Sequence, residues 1–419
     1  MQEHSQPMDL EEARAALFAQ LAPISRTEVI PLSEASGRVS AAGIKAQLAL
    51  PPFRASAMDG YALARQDFKQ AKDTGLSVVG QSLAGHPFVD PIRLGQCVRI
   101  FTGAVVPPGA DLILLQERLA ETITATDGSV TVRFEQHDVD EDYIRPVGND
   151  VQLNQVLAEP GDLLTALRLG SLAAAGVNTV EVYGRVTVGI FSSGDELKDP
   201  STPPDQLALG EIYDSNAFTL ANLLERLPVQ VVELGRLPDE PSVVRQALAD
   251  GAKRCDMLIT SGGVSVGDAD FIGATIAELG DLAFWRLNLK PGKPLAFGSI
   301  GDCWIFGLPG NPVSTIVTCL LLVMPSLKRL CGTDPQPILK IPATLSSPLS
   351  HRPGRAEYQR GIYSGGPSDS LTVRHTGDQG SNRLSTFAGA NCLIEVPKDS
   401  GDLASGAGVN VLPLSDLLD

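Results

Sequence analysis

The sequence has few aromatic residues, few histidines and a deficit of basic charge. Aromatic residues make up 5% of the chain, and 49 aspartates and glutamates outnumber 33 lysines and arginines, for a formal net charge of −16. Binding to nucleic acid or to an anionic membrane surface needs a basic surface, so the charge argues against both partners. The five histidines form no pair at ligand spacing, which argues against a zinc site. An anionic ligand would need a local basic pocket.

Signals for export, membrane spanning and cysteine chemistry are also missing. The six cysteines show no C-x-x-C spacing and several lie inside apolar runs, so we expect buried, reduced thiols. The start of the chain is polar and acidic, unlike a signal peptide. The longest apolar run, residues 313–324, is bounded by Pro312 and Pro325 and is too short to span a bilayer. These absences predict a soluble, cytoplasmic protein.

The length of 419 residues predicts three or four domains. Changes in the spacing of apolar residues along the sequence predict a multidomain α/β fold with four domains. It comprises a helical discontinuous linker domain (residues 1–50 and 149–184), a β-rich inserted domain (51–148), a three-layer α/β domain with a mostly parallel sheet (185–333) and a small, β-barrel-like C-terminal domain (334–419).

Apolar spacing supports this division. Residues 9–21 have helical spacing, residues 31–44 suggest a second helix, and residues 160–183 become helical again. From residue 185 strand-like and helix-like runs alternate, including a helix with Asp214 or Ser215 as its N-cap. Such alternation predicts a sheet covered by helices on both faces. Ligands of these sheets bind beyond the carboxyl ends of the strands.

Two glycine-containing turns follow apolar strands of the α/β region. They read LITSGGVSVGDAD at 258–270, with Gly262, Gly263, Ser265 and Gly267, and GLPGNPVS at 307–314, with Pro309, Gly310, Asn311 and Pro312. Glycine lets backbone N–H groups approach an anion, and the helix N-terminus that follows adds partial positive charge. Ordinary strand-to-helix turns are the alternative interpretation. Neither turn matches a dinucleotide fingerprint or a Walker loop.

Charged residues lie near these turns in the sequence. Lys290 and Lys293 flank a Pro-Gly turn in NLKPGKP, which favours two fixed cations for phosphate or another oxyanion, although lysines usually mark a solvated face. Glu196, Asp239 and Asp270 follow predicted strands, and carboxylates shared with substrate phosphates are the ligands that Mg²⁺ prefers. Acids are also common in the loops of an acidic protein.

Two short motifs lie in or beside the inserted domain, far in sequence from the predicted cleft. SAMDGYA at 56–62 contains Asp59, and FTGA at 101–104 contains Thr102. Two tight turns would account for the composition. If the motifs act in the site, Asp59 and Thr102 must reach the cleft from another domain or from another subunit.

Eight motifs in order, PPF…SAMDGYA, FTGA, RPVGND, SSGDEL, IYDSN, SGGVSVGDAD, FWRLNLKPGKP and GLPGNPVS, resemble the molybdopterin molybdenumtransferase family, which includes MoeA and the gephyrin E-domain. The resemblance covers nearly the whole chain. It implies insertion of molybdate into adenylated molybdopterin with Mg²⁺, giving molybdenum cofactor and AMP. It also implies an elongated homodimer that uses residues 1–50 and 149–184 for dimerisation, and a molybdopterin adenylyltransferase as a substrate donor.

The resemblance also implies residue roles, by motif position. The implied assignment is metal-linked roles for Glu196, Asp239 and Asp270, oxyanion binding by Lys290 and Lys293, pocket shaping by Pro309 and Pro312, and a contribution of Asp59, Thr102 and Asp150 from the insertion and its return linker. Two positions depart from the family. Arg286 stands where lysine is common and is held as an anion contact only, and Arg54–Ala55 replaces a frequent Asp-Asn pair.

Other functions stay open at the level of sequence. A scaffold could bind the pterin or a partner without turnover, although it need not retain the complete set of acids and lysines. Tungstate insertion or molybdopterin adenylyl transfer would keep an enzyme and change its reaction.

Overall fold

The structure is a computed structural model that describes residues 7–135, 141–238, 240–264, 271–365 and 370–418. The helices are α1 (Leu10–Gln20), α2 (Phe68–Asp73), α3 (Ala166–Ala174), α4 (Ser215–Leu224), α5 (Pro241–Ala252), α6 (Phe271–Leu279), α7 (Pro312–Thr318), α8 (Met324–Leu330) and α9 (Leu414–Leu418).

The strands up to the end of the insertion are β1 (Thr27–Pro31), β2 (Ile44–Lys45), β3 (Ala55–Ser56), β4 (Gly60–Leu63), β5 (Leu76–Ser82), β6 (Gln96–Ile100), β7 (Leu112–Leu115), β8 (Leu119–Thr124), β9 (Val130–Phe134) and β10 (Ile144–Arg145). Those up to the second glycine turn are β11 (Val156–Ala158), β12 (Thr179–Tyr183), β13 (Val186–Ser193), β14 (Leu197–Lys198), β15 (Ile212–Tyr213), β16 (Val229–Leu237), β17 (Met257–Ser261), β18 (Asp281–Arg286), β19 (Leu289–Lys290), β20 (Pro294–Ile300) and β21 (Cys303–Leu308). The remaining strands are β22 (Ile341–Leu345), β23 (Ala356–Gly365), β24 (Leu371–His375), β25 (Cys392–Val396) and β26 (Gly408–Pro413).

The linker region on either side of the insertion is less helical than its sequence predicts. The helix expected over residues 31–44 is wrong, because only a 3-10 turn forms at Leu32–Glu34. Gly37 has a φ of +72°, which ends any helix there. Residues 160–183 divide into α3 and β12. Alternate valines of β12 are buried, and the strand pairs antiparallel with β1.

The insertion leaves and rejoins the linker at one place. The Gly148 N–H donates to the Pro51 carbonyl over 2.9 Å, and the Asp150 N–H donates to the Leu50 carbonyl over 2.9 Å. Between these points lies a six-stranded, mainly antiparallel sheet in the order β7-β4-β6-β5-β9-β8. Its two core clusters are separate from those of the α/β region.

The α/β region has a six-stranded sheet in the order β16-β13-β17-β21-β20-β18. The first four strands are parallel. Strand β20 pairs antiparallel with both of its neighbours, β21 and β18. Buried residues of α4 and α7 belong to one core cluster, and those of α5 and α6 belong to another. Helices therefore cover both faces, and the carboxyl ends of β13, β17 and β21 meet at one edge.

The helix after the second glycine turn continues through Pro325. It spans Pro312–Leu330, and its length and composition alone would suit a membrane span. However, 89% of its most apolar stretch is buried within the protein. A π turn at Cys319–Val323 precedes the proline. Proline has no N–H for the carbonyl four residues earlier, here that of Leu321. The buried Arg14 guanidinium donates to this carbonyl over 2.9 Å, so the carbonyl keeps a donor where the proline supplies none.

The C-terminal strands form a closed barrel. Five strands follow the order β23-β24-β22-β26-β25, and pairing of β23 with β25 closes the ring. The barrel-like prediction is confirmed. Strand β19 of the α/β region adds to β23 in parallel, with Lys290 in register with Glu357. The barrel therefore lies directly against the predicted lysine turn.

All six cysteines are free and buried, as the sequence predicts. Burial raises the pKa of the Cys97, Cys303 and Cys319 thiols to about 12, so these side chains are neutral at physiological pH. The cysteines therefore contribute to packing.

Candidate functional site

The two predicted glycine turns lie side by side at the carboxyl edge of the sheet. The Gly262 N–H donates to the Leu308 carbonyl over 3.0 Å. A Cβ atom added to Gly262 would lie 2.6 Å from the Ser193 carbonyl oxygen, and one added to Gly310 would lie 3.6 Å from the Gly262 Cα. Gly262 and Gly263 have φ angles of +93° and +70°. Only glycine meets both requirements without strain.

Asn216 holds the two turns together from the first turn of α4. Its Nδ2 donates to the Gly310 carbonyl over 2.7 Å and to the Ser261 hydroxyl over 2.8 Å. Helix α4 is placed by the Asp214 side chain, which caps it by accepting from the Ala217 N–H over 3.0 Å. Sequence reasoning included IYDSN among the motifs but gave Asn216 no role.

The second turn is stabilised where α7 begins. Asn311 is the N-cap residue and Pro312 is at the start of the helix, where the missing N–H removes no helical hydrogen bond. The Thr315 hydroxyl donates to the Pro309 carbonyl over 2.5 Å. Pro309, Gly310, Asn311 and Pro312 therefore form one fixed loop at the sheet edge.

Glu196 lies at the same edge, after β13. Its Oε2 would be 2.5 Å from a Cβ atom added to Gly194, so the carboxylate folds back over that glycine. Both Glu196 and Asp195 are exposed. The Ile212 N–H donates to the Glu196 carbonyl over 2.8 Å, which fixes the turn between β13 and β14.

Several predicted site residues lie outside the described residues, namely Asp239, Ser265, Gly267 and Asp270. Arg286 is the last residue of β18, and the structure describes its backbone but not its side chain. The roles assigned to these residues stay predictions. Of the predicted metal ligands, Glu196 is the one in the described part of the chain.

A basic cleft lies between the lysine turn and the barrel. It has a volume of about 730 Å³ and is lined by residues of both domains, among them Lys290, Lys293, His351, Arg352, Arg355, Glu357, His375, Asp378 and Ser381. Four of these side chains are cationic and two are carboxylates. In a chain with a net charge of −16, this excess of cations is the local basic pocket that an anionic ligand requires.

The cleft lysines differ in their surroundings. The Lys290 Nζ is 2.9 Å from Glu357 Oε1, whereas Lys293 is exposed and its carbonyl accepts from the Leu287 N–H over 3.1 Å. The other oxygen of Glu357 is 2.7 Å from His351 Nδ1. Lys290 is therefore anchored to the barrel, and Lys293 presents its ammonium group to solvent.

Arg360 holds the barrel loop that lines the far side of the cleft. Its guanidinium donates to the carbonyls of Asp378, Gln379 and Gly380 over 3.1–3.2 Å. Burial lowers the pKa of Arg360 to about 10. The same loop reaches the second glycine turn, because the Ser381 carbonyl accepts from the Val313 N–H over 3.0 Å. The cleft and the glycine turns are thus parts of one connected region.

Asp59 and Thr102 lie together in the insertion. Asp59 Oδ1 accepts from the Thr102 N–H over 2.7 Å and from the Thr102 hydroxyl over 2.8 Å. The two bonds from Thr102 lower the pKa of the Asp59 carboxyl. Both hydrogen bonds stay within the insertion. Asp150 is exposed where the insertion rejoins the linker.

No group of three or more metal-ligating side chains occurs among the described residues. The predicted magnesium trio stays a prediction, since two of its members, Asp239 and Asp270, lie outside the described residues. Glu196 fits, because an exposed carboxylate at the sheet edge is a hard oxygen donor of the kind that Mg²⁺ prefers.

Sequence reasoning missed the barrel's share of the cleft. The cations Arg352 and Arg355 and the buried pair His351 and Glu357 come from HRPGRAEYQRG, and Ser381 comes from a later loop. The cluster of arginines around a Pro-Gly turn was the available signal. It repeats the cationic Pro-Gly pattern of KPGK.

A parallel-sheet domain with paired glycine turns, joined to a barrel that supplies cations to the same region, defines a multidomain protein with a basic cleft suited to an anionic ligand. Family comparisons cover most of the chain. Residues 8–176 match the MoeA N-terminal region (domain I and II), residues 189–329 match a domain described as "Probable molybdopterin binding domain", and residues 342–414 match the MoeA C-terminal region (domain IV).

Relatives match over similar lengths. The chain is 38% identical over 414 residues to the molybdopterin molybdenumtransferase of Haemophilus influenzae, covering 98% of this chain and 100% of that protein. It is 30% identical to gephyrin of Dictyostelium discoideum, covering 92% of this chain and 59% of gephyrin. A MoeA structure from Pyrococcus horikoshii has a TM-score of 0.80 at 27% identity, covering 97% of this chain and 100% of that one.

The chain belongs to the molybdopterin molybdenumtransferase family, that of MoeA and the gephyrin E-domain. Members of this family are transferases of molybdenum cofactor biosynthesis. The resemblance drawn from the eight motifs is confirmed.

Proposed function

We propose that this protein inserts molybdate into adenylated molybdopterin in a magnesium-dependent reaction, releasing AMP and giving molybdenum cofactor. The observation that carries the proposal is the basic cleft and its connection to the paired glycine turns. Molybdate is a tetrahedral dianion and the adenylated pterin carries a pyrophosphate, so both substrates need fixed positive charge and free backbone N–H groups.

The residues divide this work by position. The turns at Gly262–Gly263 and Pro309–Pro312 receive the pyrophosphate, and Ser265 and Gly267, which follow in the same sequence motif, are assigned to the same ligand. Lys290 and Lys293 bind the oxyanion, and Arg286 adds an anion contact. Fixed donors are effective here because they need no rearrangement when charge develops on the substrate. Catalysis is mainly positioning, with the dithiolene sulfurs brought to molybdate.

Glu196, Asp239 and Asp270 would hold Mg²⁺ beside the adenylate phosphate. When bound, the metal supplies Lewis-acid polarisation of a phosphoryl oxygen. The three carboxylates bind cations and repel anions, so their place is at the metal and not at molybdate. No side-chain nucleophile is required.

We further propose a homodimer in which Asp59, Thr102 and Asp150 complete the site from the insertion and its return linker. The linker region exposes large apolar side chains, among them Leu167 at 87%, Leu153 at 57% and Val29 at 69%. Apolar patches on the surface of a folded protein often mark protein interfaces, and these side chains are our candidates for the dimer contact. A molybdopterin adenylyltransferase is the proposed substrate donor, and the cytoplasm is the proposed location.

The test measures AMP released from adenylated molybdopterin with and without molybdate and Mg²⁺. We expect release to need both, and to be lost in Asp270→Asn. Unchanged turnover in that variant would contradict the assignment of the metal site. A scaffold would bind the pterin without release, and replacing molybdate by tungstate at matched concentration separates the two insertion reactions.

A further inference from the structure

A buried carboxylate lies against one of the two cleft lysines. The Glu357 side chain is 2% exposed, whereas that of Lys290 is 45% exposed and reaches solvent. Lys290 Nζ is 2.9 Å from Glu357 Oε1, and His351 Nδ1 is 2.7 Å from Glu357 Oε2. Each carboxylate oxygen therefore has its own donor.

His351 is held on its other side by the barrel. Its side chain is 0% exposed, its backbone N–H donates to Asp402 Oδ1 over 2.9 Å, and its Nε2 has no hydrogen-bond partner in the described part of the chain. A neutral ring with the proton on Nδ1 donates to Glu357 and leaves only a lone pair unpaired at Nε2. This tautomer suits a residue whose task is to hold a carboxylate.

The buried carboxylate needs an explanation beyond packing. Burying an ionised group is unfavourable unless it is paired and hydrogen-bonded. Glu357 also adds negative charge beside a cleft that collects cations, and by charge alone it would weaken the binding of an anion. Register fixes the arrangement, since Lys290 and Glu357 are opposite each other on paired strands β19 and β23.

We propose that Glu357 is a positioning residue that directs the Lys290 ammonium group into the basic cleft, and that His351 holds Glu357 in place for this purpose. The inference rests on the proposed function of the cleft as an oxyanion site. It makes the barrel a determinant of the geometry of a lysine that the α/β domain supplies.

The sign of a binding change tests this inference. Binding of molybdate alone to the full chain is measured by calorimetry for the wild type, Glu357→Gln and Lys290→Met. Positioning predicts that Glu357→Gln weakens binding about fivefold, or ~1 kcal/mol, and has no such effect in the Lys290→Met background. Charge alone predicts tighter binding. Unchanged or tighter binding in Glu357→Gln would overturn the inference.

Glu395→Gln is the matched control. Glu395 Oε1 is 2.7 Å from Lys340 Nζ on the same barrel, and neither residue lines the cleft. This variant removes a barrel carboxylate and a lysine pair of the same kind. We expect its molybdate affinity to equal that of the wild type.

A second measurement needs no molybdate. Competitive labelling with acetic anhydride, followed by mass spectrometry, reports the availability of each lysine amine. We expect increased labelling of Lys290 in Glu357→Gln and in His351→Leu, and wild-type labelling in His351→Asn, whose amide restores a donor. Glu395→Gln should change Lys340 only. Unchanged Lys290 labelling in Glu357→Gln would refute the positioning role.

The two measurements separate the two proposals. Altered Lys290 labelling without molybdate binding in the wild type would support the contact and contradict the oxyanion role of the cleft. Molybdate binding that depends on Lys290 but not on Glu357 would support the cleft and refute the positioning role. Thermal unfolding checks that each variant is folded, and Glu357→Gln is decisive if His351→Leu fails this check.

Discussion

Replacing Asn216 with alanine is expected to separate the two glycine turns. The Asn216 amide donates to the exposed Gly310 carbonyl and to the hydroxyl of Ser261, a residue that is 2% exposed. Water can replace the first bond, so its loss costs about 0.5–1 kcal/mol, whereas leaving a buried hydroxyl without its partner costs about 1–2 kcal/mol. Together they lower the free energy of unfolding by roughly 2 kcal/mol.

The same loss affects function because both turns belong to the proposed site. If substrate binding requires the ordered turns, a loss of roughly 2 kcal/mol in their stabilisation lowers kcat/KM by about 30-fold. Urea unfolding and AMP release are measured on the same preparations. Asn222→Ala is the control, because the Asn222 amide on the same helix donates to the Phe218 carbonyl over 2.7 Å in an exposed position. Equal effects of the two substitutions on both assays would refute the reasoning.

Three further predictions test other parts of the structure. Arg14→Met should lower the free energy of unfolding by about 2 kcal/mol in urea titration, because the buried Leu321 carbonyl loses its donor. Thr102→Ala should raise the pKa of Asp59 part of the way to its ordinary value, read by carbon NMR. Because that pKa is lowered in the folded protein, the Asp59 carboxylate stabilises the wild type above its ordinary pKa, and this stabilisation is lost as the pH falls through the folded value. The variant should therefore lose less free energy of unfolding on acidification than the wild type. Leu167→Asp should shift sedimentation toward monomer, and an unchanged profile would place the interface elsewhere.

Local signals made much of the α/β region predictable. Asp214 was one of two proposed caps for α4, and the structure shows its side chain accepting from the Ala217 N–H. Glycine and proline in GLPGNPVS also located a turn, and the first glycine of this motif has no room for a side chain, since a Cβ atom added to Gly307 would lie 2.8 Å from the Val264 side chain. Such features depend on residues close in sequence, and their chemistry is visible without the fold.

The failures have physical causes. Residues 31–44 were predicted as helix, yet Val39 and Ser40 bridge to residues 163 and 182, and these distant pairings override weak helical spacing. The apolar run at 313–324 was judged too short to span a bilayer, whereas the helix that contains it extends past Pro325 to Leu330, with a π turn before the proline and a donor from the distant Arg14. In both cases the residues responsible, namely residues 163 and 182 in the first and Arg14 in the second, are far from the affected segment in the sequence.

The cleft shows the same limit at the site. KPGK identified two lysines, but the pairing of β19 with β23 that brings Glu357 and Arg355 to them is a contact between domains. Likewise, Asp59 and Thr102 were proposed to reach a common site, and the structure shows them bonded to each other within the insertion. Whether a partner subunit brings them to the cleft stays a prediction.

AMP release from adenylated molybdopterin, compared with and without molybdate in the presence of Mg²⁺, tests the central proposal most directly. A reaction that positions an oxyanion beside the adenylate predicts release that depends on molybdate and that falls when Lys290 and Lys293 are both replaced. Release at the same rate without molybdate, or in the double variant, would contradict the account.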